Sequence, residues 1–164
     1  MNRQTSIVDT NVILVANKQH RDVTPQCIDK CALALQTIMQ RGRIALDDRF
    51  RILNEYQNKT QPRKGKGAGD VFLKWALRNN ANPDRCDRVS IIEHATRGFE
   101  SFPDDAELAM FDPPDRQFVA VSAAHPEHPP ILQAADAKWL TWAPALKRHG
   151  INVEFLCKED IQRF

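Results

Sequence analysis

The sequence predicts an α/β protein, a three-layer α/β/α sandwich around a central, mostly parallel sheet. Short apolar runs at residues 6–14, 43–46 and 131–134 alternate with longer stretches in which apolar residues recur at helical spacing. Capping residues or proline open most of the helical stretches, and glycine closes two of them, at Gly42 and Gly150. The β-α-β-α beginning requires crossover helices, and crossovers make neighbouring strands parallel.

Taken in order, residues 6–14 open the chain as an apolar strand that delivers Asp9, Thr10 and Asn11 at its carboxyl end. Thr24-Pro25 then reads as an N-cap with proline at the first helical position, and Ile28, Cys31, Leu35, Ile38 and Met39 form an apolar stripe that Gly42 ends. Residues 43–46 make a second strand. Asp47-Asp48 cap a helix reaching about Asn58, with Phe50, Leu53 and Tyr56 on its apolar face. Residues 60–69 form an aperiodic basic Gly/Lys loop leading into a helix that carries Val71, Phe72, Trp75 and Ala76. Residues 89–92 suit a third strand or a short helix. A further helix starts near residues 103–105, and Asp112-Pro113-Pro114-Asp115 caps the next, with Asp115, Phe118, Val119 and Ser122 on one face. After a proline-rich turn at 125–130, residues 131–134 are a buried strand ending at Ala135-Asp136. The following helix points Trp139, Leu140, Ala143 and Leu146 inward and stops at Gly150, and residues 152–156 close the sheet.

With 164 residues, 42% of them hydrophobic and 27% charged, the chain predicts one domain spanning 1–164. It has no apolar run of membrane-spanning length, and its first residues lack the apolar core of a secretory signal, so a soluble cytoplasmic protein with no membrane partner is expected. Cys27, Cys31, Cys86 and Cys157 are scattered and are expected to be free thiols, the first two one turn apart on a helix. Net charge is only +2, but six basic residues stand against Asp70 between Lys59 and Arg78. The Gly/Lys loop does not match a nucleotide-binding loop ending in Gly-Lys-Ser/Thr. Its Arg63, Lys64 and Lys66 suit contact with a nucleic-acid backbone. His125 and His128 read as surface residues with too few companions for a zinc site. Trp142 lies off the inward face of its helix and reads as part of a partner surface.

Four acids occupy comparable positions: Asp9 after the first strand, Glu55 in the helix after the second, Asp115 at a helix start and Asp136 after a late strand. Converging carboxylates repel unless a cation neutralises them, and hard oxygen ligands favour Mg²⁺ or Mn²⁺. Such a centre activates water for phosphodiester hydrolysis without a protein nucleophile. Asn11, where an aspartyl phosphatase would carry a second acid after its nucleophile, argues against that alternative.

In Val8-Asp9-Thr10-Asn11-Val12, the helical Glu55, the Asp115-Arg-Gln-Phe118 box, and Asp136 followed by a helix and Gly150-Ile-Asn-Val153, the chain resembles the PIN domain nucleases. The resemblance runs in order through nearly the whole chain. It implies a metal-dependent endoribonuclease acting on RNA, with Asp9, Glu55, Asp115 and Asp136 holding Mg²⁺ or Mn²⁺ and Asn11 orienting the first acid, while Thr10 is structural. Many small bacterial members are toxins neutralised by an antitoxin protein. Leftover amphipathic helix surface also makes a homodimer reasonable. One departure stands out: many members carry a hydroxyl residue two before the late aspartate, and here Ala134 and Ala135 precede Asp136. The alternative reading is therefore a catalytically weak or inactive module that binds RNA or protein.

Overall fold

The computed structural model describes residues 3–20, 22–60 and 65–161. The chain runs through β1 (Thr5–Val8), α1 (Thr10–Ala16), α2 (Pro25–Arg41), β2 (Arg43–Asp47), α3 (Arg51–Lys59), α4 (Ala68–Asn79) and β3 (Cys86–Val89). A small antiparallel hairpin follows, β4 (Glu93–His94) with β5 (Gly98–Phe99), then 3₁₀ turns at Ala106–Leu108 and Pro113–Asp115. The last elements are α5 (Arg116–Ala124), β6 (Ile131–Gln133), α6 (Lys138–Arg148), β7 (Val153–Phe155) and α7 (Lys158–Ile161).

The five main strands form one parallel sheet in the order β3-β2-β1-β6-β7, flanked by helices as a three-layer α/β/α sandwich. Helices α1, α2 and α4 pack on one another, and α5 packs against β1, β2 and β6. Strand order reverses at β1: the chain first builds outward through β2 and β3, then returns to lay β6 on the other side. That reversal opens a crevice beyond the carboxyl ends of β1 and β6, where open α/β sheets bind ligands.

The opening segment differs from its sequence reading. The strand stops at Val8, and Asp9 caps a helix, α1, that the apolar run of residues 12–16 had concealed. The run cannot reveal this because a helix buried on most sides is as continuously apolar as a central strand. Helix α2 begins as its cap signal predicts, with Thr24 Oγ1 accepting from the Cys27 amide at 3.2 Å. The Asp160 carboxylate accepts from the Thr24 amide and hydroxyl at 2.7 and 2.8 Å, tying the last helix to this cap. Asp47 serves α3, accepting from the amides of Arg49, Arg51 and Ile52 at 2.9–3.1 Å. Phe50 precedes that helix in the left-handed region at φ 62° and is 43% exposed, so it leaves the predicted apolar face and lies under Arg88.

The glycines of the basic loop have a packing role. A Cβ on Gly69 would meet the Ile13 carbonyl at 2.3 Å, so α4 approaches α1 this closely only with glycine there. Asn17 Oδ1 accepts from the Asp70 amide at 2.9 Å and fixes the same contact. Gly150, at φ 79°, ends α6 as expected.

Several packing expectations need correction. Cys27 and Cys157 are joined in a disulfide across 130 residues of sequence, so these two are not free thiols. Cys31 does lie one turn from Cys27, with its Sγ 3.9 Å from that of Cys157. Burial, and then the charge of Asp160, push its thiol up to about 12, which leaves it protonated and unreactive. Trp142 is buried, its ring centroid 4.3 Å from Phe111, so it is not a partner surface; Leu140, expected to point inward, is the exposed large apolar residue of α6 instead. His125 is also buried, its Nε2 2.9 Å from Asp87 on β3, rather than standing on the surface. In each case the partner is remote in sequence, and local periodicity contains no information about it.

Candidate functional site

Asp9 sits at the carboxyl end of β1, on the lip of the crevice, and is buried. Its Oδ2 accepts from the Asn11 backbone amide at 3.0 Å. Burial holds its carboxyl well above the usual carboxylate range; the charge of Asp115 and, more weakly, that of Glu55 add to this, while the Asn11 amide and the Gln133 side chain draw it back. Asn11 thus holds Asp9 through its main chain. Its side chain turns away, donating from Nδ2 to Gln133 Oε1 at 3.2 Å.

Glu55 reaches the cluster because α3 is fastened beside β1. The buried Tyr56 hydroxyl donates to the Val8 carbonyl, so the neighbouring Glu55 comes alongside Thr10, whose hydroxyl donates to the Glu55 carboxylate. Thr10 therefore belongs to the site rather than only to the scaffold. Burial raises the Glu55 carboxyl, and the Thr10 hydroxyl and Lys59 offset part of the rise.

Asp115 ends the 3₁₀ turn that enters α5, and its neighbour Arg116 anchors that turn. Arg116 donates to the carbonyls of Arg97, Ala109 and Phe111 at 3.0–3.2 Å and lies 4.7 Å over the Phe102 ring. Burial, followed by the charges of Glu55, Asp136 and Asp112, pushes the Asp115 carboxyl up to about 6, while Lys138 pulls it down. Asp136 joins the group through Asp115, and its Oδ1 accepts from the Lys138 amide at 3.0 Å at the start of α6. Asp112 is engaged by Lys138 Nζ at 3.2 Å on the outer side.

The four predicted acids thus share one electrostatic neighbourhood at the point where the strand order reverses. None of them forms a salt bridge with a described lysine, arginine or histidine. Among the described residues only Cys27, Cys31 and Cys157 bring three candidate ligand atoms within 4.8 Å of one another, so the acid oxygens are more widely spread than in a closed centre. Of the predicted backbone contacts, Lys66 is exposed, while Arg63 and Lys64 lie outside the described residues. A cavity of about 970 Å³ lies elsewhere, between α2 and the β6–β7 side of the sheet, and none of the four acids lines it.

Comparison with family models, curated proteins and solved structures finds no match.

Gln133 is the site residue that the sequence reading missed. It is fully buried, accepts from the Ala134 amide at 2.9 Å as well as from Asn11, and its Nε2, which makes no well-formed hydrogen bond, lies near enough to Asp9 to favour its charged form. A signal existed: Gln133 is the one polar residue in an otherwise apolar central strand, and a buried amide there costs free energy unless something uses it.

The raised carboxyls have a consequence for stability. Below about pH 3.8, Asp115 is protonated folded and unfolded alike; above about 6 it is ionised in both, and the full penalty for burying its charge is present. Between these limits the folded state binds more protons, so this contribution falls as pH rises. Without divalent cation, Asp115→Asn is therefore expected to match the wild type near pH 4 and to melt higher at pH 7. The difference is about 1 kcal/mol after allowance for partial exposure, or roughly 2–4 °C. Thermal melts of both proteins in EDTA across that range check it, and a difference independent of pH refutes it.

Proposed function

We propose that this protein is a metal-dependent endoribonuclease of the PIN type, with Mg²⁺ or Mn²⁺ held by Asp9, Glu55, Asp115 and Asp136. The observation that carries this reading is that the charges of these four acids act on one another near the carboxyl end of β1, three of the carboxyls being raised and none paired with a described cationic side chain. The residues fit such an ion. The donors are all hard oxygens, the charge they need to lose is the charge a divalent cation brings, and their open spacing suits an ion that keeps several waters. When bound, the metal supplies an activated water and stabilises charge developing on a phosphoryl oxygen.

The protein's own side chains do the rest. Asp9 is fixed by the Asn11 amide, Glu55 by the Thr10 hydroxyl, and Asp115 by the Arg116 anchor one residue away. Gln133 Nε2 offers a donor near Asp9, in a chain whose Ala134 and Ala135 provide no hydroxyl before Asp136. Lys59 and Lys66 are exposed cations suited to the RNA backbone.

The expected result is cleavage of mixed single-stranded RNA in Mn²⁺ and none in EDTA. Calorimetric titration with Mn²⁺ is expected to show binding that weakens as pH falls below 6, because Asp115 must lose its proton. No cleavage in Mn²⁺, or cleavage equal in Mn²⁺, in EDTA and by Asp9→Asn and so due to a contaminant, together with no heat of Mn²⁺ binding, removes the proposal and leaves the non-catalytic binding module.

A further inference from the structure

Beside the acid cluster, a groove of about 420 Å³ runs between α3 and the segment entering α5. Arg51, Asn54, Asn58, Phe99 and Gln117 line it, and Glu55 is shared between groove and cluster. The α3 side of the groove follows from helix geometry. Positions 51, 54, 55, 58 and 59 recur at spacings of three and one and so form a single stripe, while Ile52, Leu53 and Tyr56 are buried on the opposite side. The stripe reads Arg-Asn-Glu-Asn-Lys; Arg51 is held by Glu93 at 2.7 Å and Glu55 by the Thr10 hydroxyl, while the exposed Asn54 and Asn58 carboxamides are given to the groove.

The chemistry of these groups is specific. Each carboxamide of Asn54, Asn58 and Gln117 presents a donor and an acceptor side by side, the pattern that pairs with the edge of a nucleobase. The Arg51 guanidinium lies over the Phe99 ring, 5.5 Å from its centroid, with one Nη on the Glu93 carboxylate at 2.7 Å and its Nε buried and unpartnered. Aromatic faces and arginine planes are the surfaces on which unpaired bases stack. The volume falls at the small end of the range for small-ligand sites, roughly 300–1,000 Å³, which is the scale of one nucleotide. Lys59, at the end of the stripe, stands where a flanking phosphate would pass.

We infer that this groove is a base-reading pocket: it takes one unpaired nucleobase of single-stranded RNA next to the scissile phosphate, stacked at Phe99 and Arg51 and read along its edge by Asn54, Asn58 and Gln117. The inference rests on the nuclease reading for the nature of the chain bound, and binding and cleavage are measured separately so that the two can fail separately. Asn54 and Asn58 are exposed, and their replacement by alanine leaves the core untouched.

The test uses full-length protein in EDTA and fluorescence anisotropy with labelled RNA octamers of each single base, the matching DNA octamers and an RNA hairpin duplex. One octamer is expected to bind best and to outcompete the duplex. The double variant N54A/N58A is expected to lose about tenfold for that octamer and little for the others, the scale of two hydrogen bonds. Equal affinity for all four octamers, preference for the duplex, or an unchanged profile in the double variant overturns the inference. Equal binding of RNA and DNA overturns the choice of RNA. If RNA is cut in Mn²⁺ but the double variant keeps the same cleavage-site pattern, the pocket fails and the nuclease reading stands. If nothing is cut but the octamer preference disappears in the double variant, the pocket stands and the nuclease reading fails.

Discussion

Replacing Asp9 with asparagine is expected to lower RNA cleavage by more than about a hundredfold, the upper end of what outer-shell partners of a metal contribute, while raising the melting temperature. The two effects have one cause. Asp9 is buried and crowded by Asp115 and Glu55, so in the absence of a cation its ionised form destabilises the fold. Asparagine keeps the shape and can still accept from the Asn11 amide through its side-chain oxygen. It cannot carry the charge that a divalent cation needs. A stabilised, inactive variant is the pattern of a residue whose charge serves chemistry at the expense of stability. Mn²⁺ is expected to raise the melting temperature of the wild type and to do so much less in Asp9→Asn, because a ligand stabilises only the form that binds it. Melting curves and gel assays with and without Mn²⁺ measure both arms. An Asp9→Asn protein that cleaves like the wild type, or that melts lower in EDTA, contradicts the assignment of Asp9.

Arg116→Met is expected to cost about 3–5 kcal/mol, the range for breaking a buried charged network. Arg116 is 8% exposed, and its guanidinium binds the carbonyl of Arg97 in the hairpin turn and those of Ala109 and Phe111 in the segment leading to α5. Methionine fills part of the volume but leaves those carbonyls without donors, and each buried group so orphaned carries its own desolvation penalty. Lysine is not a rescue, because its point charge cannot reach three carbonyls in a planar fork. The expected fall in melting temperature is roughly 10 °C. Activity should fall further than the unfolded fraction explains, since Asp115 stands directly on this anchor. Urea unfolding at pH 7 checks the first part, and a loss below about 1 kcal/mol would show that the segment holds itself without Arg116.

Much of this was legible in the sequence. The parallel α/β architecture followed from apolar runs alternating with capped helical stretches, and Thr24, Asp47 and Gly150 do what their types predict, because capping is a contact between residues a few positions apart. The four acids were also singled out in advance, Asp9 and Asp136 after strands, Asp115 at a helix start and Glu55 within a helix. Three kinds of feature were hidden. Helix α1 was concealed inside an apolar run that either element type satisfies. Gln133 could be seen as an oddity but not as a neighbour of Asp9, because β6 joins β1 only after 120 residues of intervening chain have been laid down on the other side of the sheet. The disulfide of Cys27 with Cys157, the His125–Asp87 pair and the burial of Trp142 against Phe111 are all meetings across sheet or layer.

The sequence by itself determined which residues are acids, caps and core, and in what order the elements come, because these depend on side-chain chemistry and local backbone geometry. Only the tertiary structure decided that β6 lies beside β1, and this sets the carboxyl ends that carry Asp9 and Asp136 side by side. It also decided that Thr10, Gln133 and the Arg116 anchor belong with them. Those choices are made by the packing of a whole sheet, whose free energy is summed over contacts between segments far apart in the chain and is encoded in no single stretch of it.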